Sequence, residues 1–184
     1  ILALIVSSTA FSQKGKNGKV EIVLDDVSAI LYEQSHALVV GVAEYEENQW
    51  PDLPGVKKDV VAVSDVLEEH GFNVEMRLNL TKQQMDDVLS EFIKKYGQHK
   101  ENRLLIYFAG HGHTINTSYG DKLGYIVLSD SPNPHSNEAN FQSKAMEMAQ
   151  FEIFAKRINS KHALFVFDAC FSGSLFALSR AIPE

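Results

Sequence analysis

Leu104-Leu105-Ile106-Tyr107-Phe108-Ala109-Gly110-His111-Gly112-His113 and Ala163-Leu164-Phe165-Val166-Phe167-Asp168-Ala169-Cys170-Phe171-Ser172-Gly173 are the two stretches that decide the fold. Each is an apolar run of strand length ending at a reactive side chain among small residues. That is the pattern of a strand buried on both faces of a parallel sheet. In open α/β sheets the ligand crevice lies beyond the carboxyl ends of the strands. Two such strands would therefore bring His111 and Cys170 together, although Cys170 follows His111 by 59 residues.

Outward from these runs, helical and strand patterns alternate, as a parallel sheet covered on both faces requires. Residues 36–42 (His-Ala-Leu-Val-Val-Gly-Val) read as the first strand of the main sheet. Val60, Val61, Val63, Val66 and Leu67 recur at helical spacing with Gly71 as the stop, and a strand follows over Asn73–Leu78. Thr81 caps a second helix to about Tyr96, with Met85, Val88, Leu89, Phe92 and Ile93 on one face. Residues 124–128 suggest a short strand or hairpin arm, 131–134 a loop, and 144–158 a third helix. Nearer the start, Val20–Leu24 suggests a strand, and residues 26–33 fit either a helical turn or a second strand.

The 184 residues are 45% hydrophobic and 22% charged, which fits one globular domain. A net charge of −7 with no Lys/Arg-rich stretch excludes a nucleic-acid surface, because phosphate neutralisation needs clustered cations. The apolar start and the small residues Ala10 and Ser12 make residues 1–12 either the tail of a secretory signal or an ordinary strand. The run is shorter than the roughly 20 apolar residues of a membrane span, so export, periplasmic or secreted, is expected rather than anchoring. Residues 13–35 then form an N-terminal segment and 36–184 the main domain. The single cysteine, Cys170, cannot form an internal disulfide.

A thiol becomes a nucleophile when a base takes its proton, and imidazole can later return that proton to a leaving amine. His111 and Cys170 supply such a pair. Gly110, Gly112 and Ala169 leave room for a peptide backbone, and the amides of Gly112 and Cys170 are candidate oxyanion donors. Taken singly, a cysteine at a strand end is commonly a small core hydrophobe and a lone histidine a satisfied core or surface group. The pairing of contexts gives the catalytic reading its force. His111 and His113 as metal ligands lack the further ligands a zinc site needs, His113 reads as a loop residue near the cleft, and the chemistry requires no cofactor.

The segments 107–112 (Tyr-Phe-Ala-Gly-His-Gly) and 168–173 (Asp-Ala-Cys-Phe-Ser-Gly) resemble the two catalytic signatures of the caspase-like peptidases, on the metacaspase and orthocaspase side of that group. A histidine roughly 50 residues before the nucleophile is the caspase order. The resemblance covers nearly all of residues 36–174, including Leu53-Pro54-Gly55-Val56-Lys57-Lys58-Asp59. It implies an α/β three-layer sandwich with a mostly parallel central sheet flanked by helices, here the large-subunit portion of the catalytic domain. A small-subunit segment or chain would be its partner, and Arg180 is either a self-cleavage point or a cation at a helix C-terminus. It implies a cysteine endopeptidase with His111 as base and Cys170 as nucleophile, acting through an acyl-enzyme on peptide or protein substrates.

By the same resemblance Asp59 and Asp168, with Ala109 where metacaspases often have serine, would line an S1 pocket for Arg or Lys. Asp121 and Asp130 resemble acidic positions that some metacaspases use around calcium or the cleft, and fit solvated turn aspartates equally well. The alternative function is a catalytically silent caspase-like scaffold or interaction module. A nucleotide binder is disfavoured, because Gly41-Val42-Ala43-Glu44-Tyr45-Glu46 is acidic with a single glycine.

Overall fold

A computed structural model of the chain describes residues 11–14, 18–24, 27–46 and 49–170. Nearly all of the expected signal remnant, the segment 171–173, the expected helix over 174–180 and Arg180 lie outside them.

The chain begins with β1 (Phe11–Lys14), β2 (Val20–Leu24) and β3 (Val27–Tyr32), a three-stranded antiparallel sheet. The choice left open over residues 26–33 thus falls to strand, because β3 finds its partner in β2. Next come β4 (Gln34–Gly41), α1 (Pro54–Glu69), β5 (Asn73–Leu78), α2 (Lys82–Tyr96) and β6 (Asn102–Ala109). A hairpin of β7 (Gly112–Asn116) and β8 (Lys122–Ile126) follows, then α3 (Glu138–Lys144), β9 (Met146–Glu147), α4 (Met148–Lys156) and β10 (His162–Asp168).

The main sheet has the order β10-β6-β4-β5, with every described pairing parallel. Alternate residues of its buried strands feed two cores. Leu38, Val40, Leu104, Ile106 and Phe108 pack on one face with Met85, Leu89 and Phe92 of α2 and with Phe151 and Phe154 of α4. Ala37, Val39, Tyr107 and Ala109 pack on the other with Val56, Val60 and Leu67 of α1. The expected three-layer sandwich is what forms.

α1 can sit low on the sheet because Gly41 has no side chain. A Cβ there would stand 2.7 Å from Val60 Cγ1 and 2.9 Å from Val56 Cγ1. α2 starts as expected, through a capping box in which Thr81 accepts from Gln84 N–H and the Gln84 side chain accepts from Thr81 N–H.

Four expectations are corrected. Val61 and Val66 recur at helical spacing but flank the buried stripe of α1 and are exposed. The third helix does not run over 144–158. It breaks at Ala145, whose backbone is extended, because Met146 pairs with Ile126 across β9 and β8. Ser131 reinforces the break by donating to Lys144 O, so tertiary pairing overrides a helical pattern. The strand expected at 124–128 is shifted to Lys122–Ile126, since the turn closed by Thr117 N–H to Asp121 O sets the register of a hairpin with β7. His113 lies in that unforeseen β7 rather than in a loop.

β5 lies to one side of β4, reached through α1, while β6 lies to the other, reached through α2. The chain therefore reverses direction across the sheet between β4 and β6, and the crevice of such a fold lies beyond the carboxyl ends at that switch point. The loop after β4 and the residues after β6 meet there.

Candidate active site

The register of β10 on β6 places the two sequence motifs. Each residue of β10 pairs with the β6 residue 59 positions earlier, from His162 with Arg103 to Asp168 with Ala109. Gly110 N–H donates to Asp168 O at 3.2 Å, which carries the ladder one step past the strands. His111 and Cys170 share that 59-residue offset. Each lies two residues past the last paired residue of its strand, Ala109 and Asp168. Cys170 is exposed and free.

His111 is held by two residues of the stretch between β4 and α1, Tyr45 and Pro51. Its Nε2 lies 2.8 Å from Pro51 O. A carbonyl only accepts, so Nε2 carries the proton and Nδ1 is left with the basic lone pair. The backbone N–H of His111 donates to Tyr45 Oη at 3.0 Å. Tyr45 and Trp50 place their rings 5.0 Å and 5.4 Å from the imidazole. Trp50 also meets His113 and Phe141, and burial together with nearby His135 lowers the pKa of His113. His113 is thus part of an aromatic cluster beside the crevice.

Gly112 begins β7, opposite Ile126 of β8. Val127 N–H donates to His111 O at 2.9 Å. In an antiparallel ladder that bond makes Gly112 and Ile126 a non-hydrogen-bonded pair. The Gly112 N–H is accordingly directed away from β8, on the outer side of a strand at the margin of its sheet.

On the α1 side of the sheet, Tyr107 Oη donates to Asp168 Oδ2 at 3.0 Å. Burial first, then Asp168 and Asp59, push the Tyr107 phenol up to about 12. Both acids therefore lie within electrostatic range of one phenol. Ala109, 2% exposed, forms the end of the core beneath them.

Asp121 and Asp130 are not joined by further ligands. Asp121 is exposed in the hairpin turn, while Asp130 accepts from Lys82 N–H at 3.0 Å and faces Lys144 Nζ at 3.6 Å. Among the described residues no group of three or more His, Cys, Asp or Glu is placed to hold a metal ion. No helix among them is long and apolar enough to cross a membrane.

Tyr45, Trp50, Pro51 and Tyr107 were not singled out from the sequence as site residues. The one signal for the loop was its density of aromatic and proline residues between the first strand and the first helix.

Comparison with known proteins agrees with the fold. The chain is 30% identical over 102 residues to mucosa-associated lymphoid tissue lymphoma translocation protein 1 of Homo sapiens, covering 55% of this chain and 11% of that protein. The Mus musculus homolog matches to the same extent. The chain thus spans about a tenth of the length of the curated relatives it matches. Its fold superposes on the crystal structure of protein GSU0716 from Geobacter sulfurreducens with a TM-score of 0.58 at 16% identity, covering 76% of this chain and 52% of that one. The family profile described as the caspase domain matches residues 34–181, and the chain belongs to that family, the C14 peptidases.

Proposed function

We propose that the chain is the catalytic portion of a cysteine endopeptidase, with Cys170 as nucleophile and His111 as its base. The observation that supports this reading is the register of β10 on β6, whose 59-residue offset is also the offset between His111 and Cys170 just past the two strands. The Nδ1 of His111 takes the proton of Cys170 Sγ as sulfur attacks the scissile carbonyl carbon. The carbonyl oxygen, now carrying the negative charge, accepts from Gly112 N–H and Cys170 N–H. One such donor is typically worth about 3–4 kcal/mol of transition-state stabilisation. The imidazolium then protonates the leaving amine as the C–N bond breaks, which leaves a thioester on Cys170. Water, deprotonated by His111, attacks that thioester and releases the carboxylate product and the thiol.

Asp59 and Asp168, with Ala109 beneath, form the pocket for the residue before the cleaved bond. Two carboxylates on one rim favour a guanidinium or an ammonium there, so cleavage follows Arg or Lys. The reading also includes export, supported by the pattern of residues 1–12. It further includes a strand-bearing small-subunit segment against β10. Supporting that, β10 is the margin of the described sheet and Leu164 is 55% exposed on it.

Fluorogenic peptides with Arg, Lys or Asp at the cleaved position, offered to the full-length protein beside Cys170→Ala and His111→Ala, provide the test. Turnover of the Arg and Lys peptides, abolished in both variants, is the expected result. Cleavage of Asp peptides alone would overturn the pocket, and equal turnover by the variants would overturn the dyad.

A further inference from the structure

Three hydrogen bonds hold His111: one is on its ring, and a second is from Val127 N–H to its carbonyl. The third is on its main-chain N–H, which donates to Tyr45 Oη, while the same hydroxyl donates to Val42 O at 3.1 Å. The phenol therefore uses its proton and a lone pair on backbone groups of the two strands that border the switch point. Burial pushes it up to about 12, so it stays neutral and has no proton to exchange near neutral pH. Its contribution is mechanical.

The segment carrying Tyr45 is itself braced. Tyr45 N–H donates to Asp52 Oδ1 at 3.1 Å, and Leu53 N–H to Ala43 O at 2.8 Å, which closes the loop on itself. The amides of Ala43 and Glu44 both donate to Asn79 Oδ1, at 2.9 Å and 3.1 Å. Asn79 adopts φ 54°, a left-handed conformation that asparagine tolerates better than most residues. Asn79 Nδ2 in turn donates to Glu44 Oε2 at 2.9 Å. Residues 42–46 and 49–53 thus behave as a strut between the end of β5 and His111.

We infer that Tyr45 is a positioning residue: its hydroxyl, gripped between Val42 O and His111 N–H, fixes the main chain of His111 so that the ring, tied through Nε2 to Pro51 O, presents Nδ1 to Cys170. The inference rests on the dyad reading given above. Without the Tyr45 hydroxyl the His111 main chain would be held on its carbonyl side alone, by Val127 N–H, leaving its N–H side to shift, and displacements on the scale of 1 Å at a reacting group cost about 100-fold in rate.

The test compares Tyr45→Phe with the wild type in the full-length protein, using an Arg-terminated fluorogenic peptide, with Cys170→Ala and His111→Ala alongside. Expected is a fall in kcat of about 10–100-fold with KM unchanged, together with faster hydrogen exchange at the His111 amide. A second variant, Asp52→Ala, loosens the same strut from an exposed position and is expected to lower kcat in the same sense by less. Wild-type kcat in Tyr45→Phe, or a loss carried by KM, would overturn the positioning role while leaving the dyad standing. Absence of turnover in the wild type, or turnover equal to wild type in Cys170→Ala and His111→Ala, would remove the dyad and the strut's purpose with it. The two failures are therefore separable.

Discussion

Replacing Gly110 by alanine tests whether the approach to His111 is as tightly built as the geometry says. A Cβ at this position would stand 2.9 Å from Phe108 Cζ, 3.2 Å from Phe108 Cε1 and 3.2 Å from Tyr45 Oη. Neither neighbour has room to yield. Phe108 is wholly buried in the core between α2 and α4, and Tyr45 is tied at its hydroxyl to Val42 O and His111 N–H. Overpacking a filled core costs typically 1–3 kcal/mol, and two simultaneous close contacts place this change near the middle, at about 2 kcal/mol. At roughly 2–4 °C per kcal/mol for a chain of this size, thermal unfolding should begin about 4–8 °C lower. Circular dichroism melts measure this directly, and peptide turnover by the same sample should drop further than the lost stability explains. A melting temperature within about 1 °C of wild type, with activity intact, would refute the argument that Gly110 is excluded from carrying a side chain by Phe108 and the Tyr45 strut.

Two further outcomes follow from single groups. His36 is 4% exposed, stacked on Tyr96 with ring centroids 3.8 Å apart, and bonded through Nε2 to Gln34. Burial, with Lys95 adding to it and Glu75 opposing, lowers its pKa to about 4. The folded state therefore binds this proton less readily than the unfolded chain does. Its neutral form contributes full stability above about pH 6.5, and that contribution is lost as the pH falls toward about 4. Urea titrations at pH 7 and pH 5 should differ by about 1 kcal/mol from this site, the full linkage of about 2 being reduced by screening. His36→Phe should flatten that slope, and an unchanged slope would contradict the assignment. Tyr107→Phe removes the bond to Asp168 and frees that carboxylate to turn. The kcat/KM for Arg peptides should fall about fivefold, equivalent to about 1 kcal/mol, at nearly unchanged kcat. An unaltered kcat/KM would show that Tyr107 does not orient Asp168 toward substrate.

The strands that became β4 and β6 were legible because each is buried on both faces, which writes a continuous apolar run into the sequence, whereas β5 and β10 lie at the margins of the described sheet and are partly exposed. α2 was legible down to its cap, since Thr81 and Gln84 satisfy one another locally. The helix expected over 144–158 failed for the opposite reason. Its interruption is made by Ile126, twenty residues earlier in the chain, pairing with Met146, and no local pattern announces a partner at that distance.

The sequence by itself determined the class of fold and singled out candidate residues at two strand ends, because buried strands and the residues at their ends are local properties. Only the tertiary structure decided how those groups are held. The bond of Pro51 O to the imidazole, the hydroxyl of Tyr45 beneath the His111 amide and the Tyr107 bond to Asp168 all join residues at least 60 positions apart. Each is a directional contact between small polar groups, and such contacts depend on register and crossover direction rather than on hydrophobic periodicity, which is the quantity a sequence displays most plainly.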